Sequence, residues 1–232
     1  MNQMRQLVVF LGLIGASIGC GANTPNSGDQ DQQGSSVQTV ALYEITFTSL
    51  WDTQAHLGRP RSAHFSPLVI SSHTADYALF PKGELANDAL EDVAELGRTG
   101  LVQRELNSAV SQGAVENFVI TQNQFVPGTP VQSLTFEVTK EANFFSLVSM
   151  IAPSPDWIVG VDSISLVNNQ GEFIQDTGDI MLFAYDAGTE DGDQGGNFSI
   201  NNSATANPTP IQILAGRGFD QPFALLRLRK MN

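Results

Sequence analysis

The chain has 232 residues, a single cysteine, and 24 acidic against 11 basic side chains, which gives a formal net charge of −13. Its length suits one all-β domain with a substantial hydrophobic core. The single cysteine excludes a disulfide scaffold and a cysteine-based zinc cluster. The negative charge argues against binding to nucleic acid, whose phosphates attract basic surfaces, and against non-specific attraction to anionic lipid.

The first 19 residues are predicted to be a lipoprotein signal peptide. The apolar run 7–18 is too short to span a bilayer, which needs roughly 20 residues, but it has the length of a signal-peptide core. Small residues precede Cys20, and this arrangement resembles a bacterial lipobox, so we expect Cys20 to be lipidated. The alternative is an ordinary signal peptide that is cut near Ala22. Residues 20–39 are polar and are expected to form a disordered tether.

These features predict a protein of the bacterial cell envelope. We expect an outer-membrane lipoprotein whose only membrane contact is the lipid anchor on Cys20. A secreted or periplasmic protein is the alternative, and it follows if the leader is simply removed.

Residues 40–232 are predicted to form one domain built from β-strands. Hydrophobic and polar residues alternate at 43–48 and at 134–139, which is the period of a half-buried strand. Further strands are expected at 144–152, 157–167, 172–185 and 223–229, with a turn at 168–171. Many short strands separated by glycine and proline turns predict an antiparallel β-sandwich.

One segment of the domain departs from the strand pattern. Between residues 85 and 110 the hydrophobic residues follow helical spacing, and Gly97 and Gly100 are expected to divide the segment into two short helices. The long connection 187–210 is acidic and then rich in Asn, Thr and Pro, so we expect an exposed loop.

Two carboxylate-rich turns form the sharpest candidate site. Two prolines exclude residues 153–156 from a central strand, so this turn places Asp156 at the edge of the sandwich. A second acidic turn follows at 185–193. Clustered carboxylates repel one another unless a cation neutralises them, and Ca²⁺ takes 6–8 oxygen ligands in flexible geometry. The spacing matches no helix–loop–helix calcium motif, so composition alone favours a solvated acidic loop.

The three histidines offer a weaker candidate site. His56, His64 and His73 are eight and nine residues apart, which fits no zinc signature, so structural imidazoles are favoured. The sequence contains no Gly-x-Ser-x-Gly motif, phosphate loop or dinucleotide fingerprint. We therefore expect no catalytic residues and no enzyme. A hydrolase that uses His64 or His73 with a nearby carboxylate is the alternative.

Several motifs in sequence order carry a family resemblance. They lie at 43–47 with Trp51, 64–68 with 72–73, 83–86, 95–97, 146–160 and 186–189. The most specific of them is the run 146–160, which contains Ser154-Pro155-Asp156-Trp157. Together they resemble the spondin N-terminal domain of the F-spondin and mindin type over residues 40–230, and the chain is similar to the bacterial, single-domain members.

The resemblance implies both a fold and a metal site. The implied fold is an all-β, antiparallel sandwich of about eight strands with a short helical insert, related to the synaptotagmin-type calcium-dependent lipid-binding domains. The implied Ca²⁺ ligands are Asp156, Asp186 and Glu190. Glu190 stands where the family has Asp, so Asp191 or Asp193 is the alternative third ligand.

The resemblance also implies a non-enzymatic binding or adhesion module. The animal members of the family are extracellular-matrix and integrin-binding proteins, but a bacterial cell has no such matrix, so the partner is an unknown protein or glycan. Calcium-dependent lipid binding is a further alternative. It rests on analogy between folds alone, and the acidic charge disfavours it.

Overall fold

The structure is a computed structural model that describes most of the chain from residue 38 onward. The described residues are 38–52, 54–56, 58–127, 132–191, 198, 203–216 and 219–231. The predicted signal peptide 1–19, Cys20, and the tether 20–39 except for its last two residues lie outside them, so those predictions are untested. No helix within the described residues is both long and apolar enough to cross a membrane.

Strands dominate the described residues and form two antiparallel sheets. They are β1 (Val40–Ser49), β2 (His64–Phe65), β3 (Val69–His73), β4 (Val115–Ile120), β5 (Gln132–Thr139), β6 (Phe144–Ala152), β7 (Trp157–Ser165), β8 (Ile180–Leu182), β9 (Ala184–Asp186), β10 (Gln212–Ile213) and β11 (Ala224–Lys230). One sheet has the order β5-β1-β11-β8, and the other has the order β10-β9-β7-β6-β3-β4 with β2 beside β6. The predicted antiparallel sandwich is confirmed. The described strands number eleven because several are only two or three residues long.

The core lies between the two sheets. Along β1 the side chains of Tyr43, Ile45 and Phe47 are buried, and the residues between them are more exposed. They pack in one cluster with residues of β6 such as Phe145, and burying each large apolar side chain contributes roughly 1.5–3 kcal/mol. The cluster belongs to one compact unit that spans residues 38–232.

The helical insert is confirmed as two helices, α1 (Asp88–Leu96) and α2 (Gly100–Ser111). The side chain of Asn87 caps the start of α1 by accepting from the Leu90 backbone N–H at 2.9 Å. Gly97 ends α1 in a left-handed conformation, with φ +61°. Buried residues of both helices cluster with side chains of β6 and β7, so the last turn of α1 lies close to the second sheet.

The predicted strand at 172–185 is confirmed only in its last part, where two short strands form instead of one, and the difference positions the candidate site. Only β8 and β9 form there, and they belong to different sheets: β8 pairs with β11, and β9 pairs with β7. The chain thus changes sheets at Phe183, which lies between the two strands. This change brings Asp186 opposite Trp157 in the second sheet.

The predicted exposed loop at 187–210 is wrong at its beginning. Ala187, Gly188 and Thr189 are buried, because this stretch packs against the turn that contains Asp156. Residues 192–197 and 199–202 of the loop lie outside the described residues.

Candidate metal centre

The two predicted acidic turns meet at one end of the sandwich, and Asp156 joins them. Its Oδ2 atom accepts hydrogen bonds from the backbone N–H of Thr189 at 2.6 Å, the backbone N–H of Glu190 at 3.1 Å and the Thr189 hydroxyl at 3.3 Å. The backbone N–H of Ala187 donates to the Asp156 carbonyl at 3.1 Å. Only 1% of Asp156 is exposed, so this carboxylate holds the second turn in place from inside.

Asp186 and Gly188 shape the second turn. Asp186 is also buried, and its Oδ1 atom accepts from the backbone N–H of Gly188 at 2.8 Å. Gly188 has φ +74°, a conformation that side chains other than glycine's rarely adopt. The Thr209 backbone N–H donates to the Gly188 carbonyl at 3.0 Å, so a later part of the loop packs against this glycine.

Glu190 brings an unsatisfied carboxyl group to the same place. Its Oε2 atom is buried and has no hydrogen-bond partner. Burial raises the pKa of Glu190 to about 7, and the negative charges of Glu95 and Asp156 add to the effect. A carboxyl group in this setting gains from a proton or from a cation.

Glu95 was not among the predicted ligands, and it completes the cluster. It lies in the last turn of α1, and its Oε1 atom is buried without a hydrogen-bond partner. Burial raises the pKa of Glu95, and a hydrogen bond from Thr189 opposes that rise. The sequence carried one signal for it, because a carboxylate in the last turn of a helix opposes the helix dipole.

The cluster borders an open pocket of about 300 Å³. The lining is rich in oxygen-bearing groups and consists of Asp186, Gly188, Glu190, Asp191, Thr205, Asn207 and Thr209. Carboxylate, hydroxyl and carbonyl oxygens are the donors that a hard cation such as Ca²⁺ prefers, so the donor set fits this ion in kind. Among the described residues, however, no three His, Cys, Asp or Glu side chains are already placed to hold a metal ion.

The structure describes only one of the two alternative third ligands. Asp191 lines the pocket and is exposed. Asp193 lies outside the described residues, so its prediction is untested.

The three histidines make their hydrogen bonds to groups outside the acidic cluster, and His56 contacts the carbonyl of Pro222 at 3.2 Å. His73 is fully buried, and its ring contacts the Ser146 hydroxyl at 2.8 Å, which in turn donates to Asp162 at 2.9 Å. The Nδ1 atom of His64 instead lies 2.7 Å from the carbonyl of Ser62. In the described part of the chain His64 and His73 share no acidic partner. The geometry therefore gives the predicted hydrolase alternative no support.

The Ser146, His73 and Asp162 contacts have the geometry of a structural network. Asp162 also accepts from the backbone N–H groups of Leu79 and Phe80, at 2.8 and 3.3 Å. Burial lowers the pKa of His73. Because Ser146 and His73 are both fully buried, neither is exposed to a substrate in this conformation, and the network serves to fix the chain around β3 and β7.

Comparison with known proteins shows the family. The Spondin_N family profile matches residues 41–228. The chain is 34% identical to Spondin-2 of Homo sapiens over 73% of its own length and 51% of that protein. It is 33% identical to Spondin-2 of Rattus norvegicus over 87% of its own length and 59% of that protein. It is 30% identical to Spondin-1 of Xenopus laevis over 81% of its own length and 23% of that protein.

The chain therefore belongs to the spondin N-terminal domain family, as its motifs predicted. It spans between half and three fifths of the Spondin-2 proteins and less than a quarter of Spondin-1. The shared part is the sandwich domain described above.

Proposed function

We propose that this domain is a non-enzymatic binding or adhesion module whose loop end is ordered by Ca²⁺. The ligands are Asp156, Asp186 and Glu190, and Glu95 adds a fourth carboxylate. The observation that carries the proposal is the pair of buried carboxylate oxygens, one on Glu190 and one on Glu95, that have no hydrogen-bond partner. Such atoms are costly unless a proton or a cation satisfies them.

The contacts of Asp156 leave a bound ion one main role, which is to neutralise the other carboxylates of the cluster. Three donors from the second turn already hold the Asp156 Oδ2 atom, so the two turns are joined without an ion. Glu190 and Glu95 remain as the uncompensated charges of the cluster. A bound Ca²⁺ would neutralise them and stiffen the second turn, whereas Mg²⁺ demands stricter octahedral geometry and suits this loop less well.

Family membership and the acidic charge support a binding module over the other classes of function. Homology to Spondin-1 and Spondin-2 supports a binding module that acts outside the cytoplasm, anchored to the bacterial envelope through Cys20 or secreted. The partner is a protein or a glycan. The net charge of −13 disfavours anionic lipid as the partner.

Glu190→Gln tests the proposal through stability. The folded-state pKa of about 7 lies above the ordinary glutamate value of 4.5. Glu190 therefore lowers the free energy of unfolding as the pH rises from about 4.5 through 7. In chelator at pH 8 we expect Glu190→Gln to raise the melting temperature by roughly 2–4 °C, a shift discounted because the side chain is partly exposed. The increase in melting temperature that Ca²⁺ gives the wild-type protein should shrink strongly in the variant.

The control is Glu116→Gln, which makes the same chemical change at an exposed position on β4. It should leave both melting curves unchanged. If Glu190→Gln behaved like Glu116→Gln in chelator and in Ca²⁺, the proposed role of Glu190 would be wrong.

A further inference from the structure

We propose that Arg59 and Arg61 form a binding site for an acidic segment of a partner protein. The site deepens the proposed function, because it names the chemistry of the partner. It rests on the domain being a binding module and is independent of the cation.

The two arginines border a pocket of about 370 Å³ between two loops. The other lining residues that the structure describes are Pro60, Ala63, Val126 and Pro127. A hydrogen bond from the Ala63 backbone N–H to the Pro60 carbonyl, 3.0 Å long, closes the tight turn that carries Arg61. Paired backbone hydrogen bonds between Phe65 and Phe125, of 2.7 and 2.9 Å, bring the second loop alongside the first.

Both guanidinium groups are available to a ligand. One nitrogen of Arg59 donates to the Trp51 carbonyl at 3.1 Å, which orients the side chain and leaves most of its five N–H donors unused. In the described part of the chain neither Arg59 nor Arg61 has an acidic partner within 4.0 Å, whereas Arg98, Arg227 and Arg229 each form ion pairs.

The acid nearest in sequence, Asp52, does not line the pocket, although backbone hydrogen bonds and, to a lesser extent, the charge of Arg59 lower its pKa. The Oδ1 atom of Asp52 accepts from the backbone N–H groups of Gln54 and Ala55, both at 2.7 Å, so Asp52 caps its own turn. The described residues of the pocket lining thus carry two positive charges and no negative charge.

The remainder of the lining favours a peptide over a sugar. Apart from the arginines it consists of proline, alanine and valine side chains, and Val126 is 53% exposed. Among the described lining residues these side chains offer no hydroxyl, amide or aromatic ring to a glycan. A carboxylate side chain that is flanked by aliphatic residues matches this surface, because an arginine fork binds carboxylate with two parallel hydrogen bonds.

The site also lies at the same end of the sandwich as the acidic turns. His64, next to Ala63, pairs with Ala152 at the end of β6, four residues before Asp156. A partner segment held by Arg59 and Arg61 therefore approaches the loop end that the proposed Ca²⁺ would order.

The test selects ligands from a library of random twelve-residue peptides displayed on phage, with residues 38–232 as bait. We expect the selected peptides to be enriched in Asp or Glu next to aliphatic residues. Arg61→Ala should weaken their binding about tenfold in fluorescence polarisation, both in Ca²⁺ and in chelator. Arg104→Ala is the matched control, because Arg104 is also exposed and has no ion pair within 4.0 Å among the described residues. It differs in bordering a pocket that contains Asp88 and Glu105.

Three results would overturn the proposal. The first is a set of selected peptides without acidic enrichment. The second is equal weakening of peptide binding by Arg61→Ala and Arg104→Ala. The third is that heparin fragments compete for the site but excess acidic peptide does not, which would assign the site to a sulfated glycan. Arg61→Ala should melt like the wild-type protein, so that lost binding is not lost folding. An unchanged response to Ca²⁺ in Arg61→Ala, beside its loss in Asp156→Asn, separates this site from the cation site.

Discussion

Asp156→Ala is expected to lower the free energy of unfolding by about 3 kcal/mol even in chelator. The reason is that the substitution removes the acceptor of two backbone N–H groups of the second turn, those of Thr189 and Glu190, and a 3.3 Å contact of the Thr189 hydroxyl. Chemical denaturation of both proteins in chelator measures this difference. The same variant should show no further stabilisation when Ca²⁺ is added.

Asp156→Asn separates the structural role of Asp156 from its role toward the ion. Asparagine keeps one side-chain oxygen that can accept from the Thr189 backbone N–H, but it loses the negative charge. We expect it to retain most of the stability in chelator and to lose the response to Ca²⁺. Equal stability of wild type and Asp156→Ala in chelator would show that these hydrogen bonds do not hold the turn.

Gly188→Ala is expected to cost about 4 kcal/mol and to abolish the response to Ca²⁺. A Cβ atom at residue 188 would lie 2.1 Å from the backbone oxygen of Thr209, which cannot move aside like a flexible side chain. The positive φ of +74° adds its own cost. Overpacking and backbone strain together give this magnitude.

Gly171→Ala is the matched control for the backbone conformation. Gly171 has φ +76°, and nothing lies within 4 Å of the added Cβ. This substitution should cost only about 1–2 kcal/mol, the strain of the left-handed conformation alone. If the two variants had equal melting temperatures, close packing of Thr209 on Gly188 would not be what shapes the second turn.

The sequence predicted most of the strands for a simple physical reason. Residues 43–48 and 134–139 alternate because one face of each strand meets the core, and the structure has β1 and β5 there. Likewise Leu226 and Leu228 are buried on β11, whereas Arg227 and Arg229 face the other side.

The missed elements depend on tertiary pairing. β3 is buried at all five of its positions, so it shows no alternation between polar and apolar residues. β8 and β9 are three residues each and take their conformations from different partner strands. No local pattern marks the point where the chain changes sheets.

The candidate site was predicted only in part for the same reason. The acidic turns at Asp156 and Asp186 stand out in the sequence, and the family resemblance paired them. Glu95 is 61 residues before Asp156 and reaches the cluster only because α1 packs on the second sheet. Its unsatisfied oxygen becomes visible only in three dimensions.

Titration of residues 38–232 with Ca²⁺ in a calorimeter at pH 8 tests the central claim most directly. We predict a one-site isotherm for the wild-type protein that is absent in Asp156→Asn and weakened in Glu190→Gln. At a hundredfold excess of free ion over the dissociation constant, the folded state should gain about 2.7 kcal/mol. A flat isotherm for the wild-type protein would contradict the calcium site.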